Sequence, residues 1–130
     1  MRSLTIAREA TLAGRFSKNL VYIEDWESNE LTLGNVPCRK LGVLKNGEER
    51  TFSIGDNAAR IFVTSGGHGK RYRYDFCSIP EGTEDLRLSG KQIMTVGDCN
   101  FSFDGQPEEE TLQVRKARLK RGLVLRILSF

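Results

Sequence analysis

The chain has 130 residues, 38% hydrophobic and 28% charged, with a formal net charge of +3. That length fits one domain with its own core, and that balance excludes a disordered chain. No apolar run nears the roughly 20 residues a spanning helix needs, and the first residues lack a signal-peptide apolar stretch, so no membrane span and no secretory leader are expected.

In chain order, Leu4-Thr5-Ile6-Ala7-Arg8 alternates and predicts a strand with Leu4 and Ile6 inward. Thr11 to Asn19 reads as a bend and loop. Leu20-Val21-Tyr22-Ile23 is rich in β-formers and predicts a second strand. Glu24 to Glu30 is acidic and carries the only tryptophan, Trp26. Leu31-Thr32-Leu33 predicts a short strand closed by Gly34-Asn35. Pro37 marks residues 36–40 as a loop or sheet edge, because proline cannot donate to a ladder.

Leu41 to Val63 is the organising stretch and reads strand, turn, strand, turn, strand. Lys45-Asn46-Gly47-Glu48 is a turn, since Asn and Gly tolerate positive φ. Phe52 and Ile54 share one face of the next strand. Gly55-Asp56-Asn57 turns the chain again, and Arg60 to Val63 follows. Thr64 to Lys70 predicts a flexible loop. Arg71 to Cys77 alternates, with Tyr72, Tyr74 and Phe76 on one face and Arg71, Arg73 and Asp75 on the other. That spacing favours the aromatic stripe as the core face.

Pro80 to Thr83 is a turn. Asp85 to Leu88 is a short strand ended by Ser89-Gly90, followed by short runs at Ile93–Val96 and Asn100–Phe103. Turn signals recur about every 8–12 residues, as in sandwiches and barrels. The expected fold is a single all-β domain, an antiparallel β-sandwich or flattened barrel of about eight to ten short strands.

Val21-Tyr22-Ile23-Glu24, Gly42-Val43-Leu44-Lys45-Asn46-Gly47-Glu48, Thr51-Phe52-Ser53-Ile54 and Ile61-Phe62-Val63 together resemble a class of small bacterial β-sandwich domains, mostly uncharacterised. The resemblance covers roughly residues 3–78. Here 17 residues separate Glu24 from Gly42, where the pattern has the first two pieces close together. Gly55-Asp56-Asn57-Ala58-Ala59 replaces its Pro-Gly-x-His turn. The shared features are turn chemistry and core alternation, so the resemblance implies a fold and brings no catalytic residues.

Chemistry-bearing patterns are few. His68 is the only histidine, so Ser-His-Asp, Cys-His and multi-histidine metal sites lack parts. Ser65-Gly66-Gly67-His68-Gly69-Lys70 fails the phosphate-loop pattern, because Arg71 stands where Ser or Thr is required. Cys38, Cys77 and Cys99 are an odd count without C-x-x-C spacing, which predicts reduced thiols and a cytoplasmic protein. Asp56, Asp98 and Asp104 fit turns better than a calcium loop. No enzyme, metal or cofactor is expected.

Charge is the one uneven feature. Residues 1–110 hold 14 Lys/Arg against all 17 Asp/Glu, while residues 111–130 hold six Lys/Arg and no acid. Arg115, Lys116, Arg118, Lys120 and Arg121 are candidate anion or nucleic-acid contacts. The apolar residues interleaved with them, and Leu123 to Leu128 after them, instead favour a packed final strand. The expected function is a non-catalytic binding or assembly module with a protein partner or a second copy. One alternative is a carbohydrate-type site using Trp26, Tyr72 and Tyr74. The other is anion binding by the basic segment.

Overall fold

The computed structural model describes residues 1–12, 15, 17–66, 72–95 and 98–104. Among them run nine strands: β1 (Arg2–Glu9), β2 (Lys18–Glu24), β3 (Leu31–Leu33), β4 (Val36–Lys45), β5 (Glu49–Ile54), β6 (Ala59–Gly66), β7 (Tyr72–Ile79), β8 (Leu86–Thr95) and β9 (Asp98–Phe103). One sheet has the order β5-β1-β8-β9 and the other β3-β4-β2-β6-β7. The fold is the all-β sandwich expected from the turn spacing. No described helix is long and apolar enough to cross a membrane. The expected final strand at 123–130 lies outside the described residues.

The main core lies between the sheets. Leu4, Ile6, Phe52, Ile54, Phe101 and Phe103 meet Val21, Ile23, Leu44, Ile61, Val63 and Ile79 there. In β1 every second residue is buried, so Arg2 and Arg8 point inward with Leu4 and Ile6. β1 is antiparallel to β5 but parallel to β8, the one parallel pair among the described strands.

The stretch from Leu41 to Val63 has its three strands, but they do not form a meander. Its middle strand, β5, belongs to the opposite sheet. The turn at Lys45–Glu48 therefore carries the chain from sheet to sheet. The Glu48 N–H donates to the Lys45 carbonyl at 3.0 Å, and only Gly47 takes positive φ, 75°. The turn at residues 55–58 carries the chain back.

Four local readings are corrected. Residues 36–40 are the first half of β4, not a loop. Leu33 and Val36 close the two-residue Gly34-Asn35 turn, so the next pair, Thr32 with Pro37, is a non-hydrogen-bonded one. The missing proline N–H thus costs no bond to β3. Thr64 and Ser65 are buried within β6 rather than in a loop. Ser89-Gly90 does not end a strand, because β8 runs on to Thr95. The aromatic stripe of β7 faces away from the main core: Tyr74 and Phe76 join a second cluster, while Cys77 and Ile79 pack inward. Asp75 also points inward, accepting the Phe103 N–H at 2.8 Å. Alternation gives two faces but not which of them meets the other sheet.

That second cluster, Tyr22, Leu33, Val36, Cys38 and Phe62, sits on the outer face of the five-stranded sheet. A bulge puts Leu41 out of register between Val21 opposite Gly42 and Tyr22 opposite Lys40. Bulges bend a strand and increase its twist. Here the bend brings the β3–β4 hairpin across the face, until Gly34 in its turn abuts the Tyr74 hydroxyl. Gly34 and Asn35 both have positive φ, 55° and 67°, as a tight primed turn requires. The sheet curls into a half-barrel around its own small core.

Candidate functional site

Three loops meet at one end of the sandwich: residues 25–30, 55–58 and 80–85. They contain Asp25, Glu27, Glu30, Asp56, Glu81, Glu84 and Asp85, and no Lys or Arg. Arg2 binds this end from beneath. Its Nε donates to the Gly55 carbonyl at 3.0 Å, and its Nη2 to Asn57 at 3.0 Å and Pro80 at 2.7 Å. The Gly82 N–H donates to the Asp56 carbonyl at 2.9 Å. Arg2 is only 4% exposed, so its charge lies under a ring of carbonyls and acids. The Ser3 N–H donates to Asp85 at 2.9 Å and holds that carboxyl below its usual value.

A groove of about 300 Å³ opens here, lined by Ile23, Glu24, Asp25, Trp26, Arg39 and residues of the 55–59 turn. Trp26 is 65% exposed beside it. Its indole is nonetheless fixed, because Nε1–H donates to Glu24 Oε2 at 2.7 Å. The other Glu24 oxygen accepts the Arg60 backbone N–H at 3.0 Å. Asp25 Oδ2 lies 3.2 Å from Arg39 Nε, and Asp25 Oδ1 accepts the Glu27 N–H at 3.1 Å. The carboxylates are thus oriented by the backbone of the same loop and by neighbouring strands. What the indole leaves open is its apolar, electron-rich face.

Of the three aromatic candidates, Trp26 and Tyr74 lie apart. Tyr74 is half-buried in the second cluster, its ring edge-on to Phe62 at 5.4 Å. Tyr74 shares a row with Thr64 and Leu20, while Glu24 lies in the row of Arg60. Four residues of β6, roughly 13 Å, separate those rows. Tyr72 lies in β7 opposite Gly66, and its side chain is outside the description. Arg115, Lys116, Arg118, Lys120, Arg121 and His68 also lie outside the described residues.

Toward the opposite end, described polar side chains bond across the sandwich. Arg8 Nη1 donates to the Ser17 and Leu44 carbonyls at 2.9 and 3.1 Å. Asn19 Nδ2 donates to the Thr64 carbonyl at 2.7 Å and Gln92 Oε1 at 3.0 Å, and Ser65 Oγ accepts the Phe101 N–H at 2.8 Å. These bonds tie the sheets together inside the core. Sequence reasoning missed Arg2 and Arg8, although the period-two pattern that places Leu4 and Ile6 inward places both arginines inward too.

Cys38 is a free thiol and fully buried. Burial pushes the Cys38 thiol up to about 11, although a bond from the Leu33 backbone pulls the other way. It is unfit as a nucleophile at neutral pH. Because the folded value exceeds the unfolded one, this thiol's contribution to stability is intact below pH 9 and lost as pH rises toward 11. Cys38 should therefore resist a thiol reagent at pH 8 and react only as fast as the domain opens. Labelling of Cys38 at the rate of an unfolded peptide would contradict its place under the hairpin. No group of three or more His, Cys, Asp or Glu suited to a metal occurs among the described residues.

No family model matches the chain, and no curated protein matches it.

Proposed function

We propose that this domain is a non-catalytic binding or assembly module whose contact surface is the groove beside Trp26. One observation carries the reading: the sole tryptophan is largely exposed yet locked by Glu24. An exposed tryptophan normally loses side-chain freedom on contact. Here that freedom is already restricted, which is preorganisation for binding. Tryptophan is also the residue type most enriched at binding hot spots. The partner is a protein segment, and the odd count of three cysteines fits a reducing, cytoplasmic setting. A sugar site built from Trp26 with Tyr74 has less support, because Tyr74 is spent on the second cluster.

A displayed random-peptide library panned on the full chain tests this. Trp26→Ala should change stability by no more than about 0.5 kcal/mol, as for other surface positions. It should weaken the selected ligands by roughly thirtyfold, the scale of a hot spot. If Trp26→Ala binds the same ligands equally well, the contact surface is elsewhere.

A further inference from the structure

We infer that the ligand of the Trp26 groove is a Lys/Arg-rich polypeptide segment. This rests on the groove being the contact surface. The first argument is charge. The three loops at the groove end carry seven acids and no Lys or Arg; loops 25–30 and 55–58 border the groove itself, where Glu24 and Asp25 are paired with Arg60 and Arg39. Among the described residues of the turns at the other end, 10–12, 15, 17 and 46–48, Arg15 stands against Glu48. Among the described loops the groove end is therefore the acidic one. A cationic segment is steered to the groove end, and a polyanion is repelled from it.

The second argument is the indole. With Nε1–H held by Glu24, Trp26 offers a ring face and no further donor. A ring face attracts guanidinium or ammonium groups, tryptophan most strongly. The third is that the groove already holds such a group. Arg39 lies along its lining with Nε 3.2 Å from Asp25 Oδ2. A second guanidinium set over Trp26 repeats that chemistry beside Glu27, which is exposed.

A synthetic peptide with the sequence of residues 111–121, T-L-Q-V-R-K-A-R-L-K-R, has the required chemistry. The protein is the full chain, and also a full-chain variant with Arg115, Lys116, Arg118, Lys120 and Arg121 all changed to Gln. That variant cannot fill the groove with its own basic segment. Trp26 is the only tryptophan, so its emission reports the site directly. The expected result is a saturable change in emission of the variant, with affinity falling about tenfold between low and high salt. Glu27→Gln should weaken binding roughly two- to fivefold, and Glu9→Gln at the far end should not. No saturable change in the variant overturns the inference. Equal binding of a peptide whose Lys and Arg are all Gln also overturns it, while leaving the groove as a peptide site. If library ligands survive Trp26→Ala, the underlying reading fails instead.

Discussion

Phe62→Ala should lower the unfolding free energy by about 3–5 kcal/mol, the usual cost of emptying a buried phenylalanine site. Phe62 is 2% exposed on the outer face of the five-stranded sheet, where a lone sheet face would meet water. It is dry because the β3–β4 hairpin folds across it. Tyr22 and Phe76 flank it on the neighbouring strands, and Tyr74 and Phe76 stand 5.4 and 5.7 Å from its ring. The site cannot collapse easily, because Tyr74 is held against the Gly34 turn. A loss of this size is a large share of a domain's net stability of about 5–15 kcal/mol. The urea midpoint of Phe62→Ala against wild type measures it. A second readout locates the damage: amides of Leu31 to Cys38 should exchange faster in the variant than those of β1. A loss below about 1 kcal/mol would mean that the hairpin does not cover this face.

The strand faces were legible where a residue's neighbours are apolar and alternate. Leu4, Ile6, Phe52 and Ile54 follow directly from period two. Sheet membership was not, because a tight turn reads alike whether it joins neighbouring strands or crosses between sheets. Lys45–Glu48 shows this: the residues specify a turn, and the partner of β5 is decided by β1, more than 40 residues away. The second cluster was hidden for a related reason. A sheet curled around its own outer face makes both faces apolar, so Tyr74 and Phe76 look like main-core residues. The binding groove was half legible. Trp26 in an acidic run is visible in the sequence. That the turns at 55–58 and 80–85 meet at its end of the sandwich depends on Arg2, whose three carbonyl partners are far along the chain.

Gly90→Val should destabilise the domain by about 3 kcal/mol or more, and Gly90→Ala by about 1–3 kcal/mol. The sign of the alanine effect separates two accounts of this glycine. If Ser89-Gly90 were a strand end with ordinary φ, alanine would stabilise by about 0.4–1 kcal/mol through the unfolded chain. In the structure Gly90 is buried mid-sheet, paired with Arg8 of β1 on one side and Phe103 of β9 on the other. A Cβ there would lie 2.6 Å from the Ser102 carbonyl oxygen and 2.7 Å from Phe101 Cε1, with the tip of that ring closer still. The carbonyl is backbone and cannot swing aside. Phe101 is 2% exposed and packed edge-on to Phe103 at 5.1 Å, so its ring has nowhere to go. The glycine is thus the space that the Phe101 ring occupies, and β8 passes under it without a break. Valine adds two methyl groups to the same collision. Urea midpoints of both variants measure the effect. An unchanged or raised midpoint for Gly90→Ala would show that β8 ends where the sequence suggested, and that Phe101 does not lie across it.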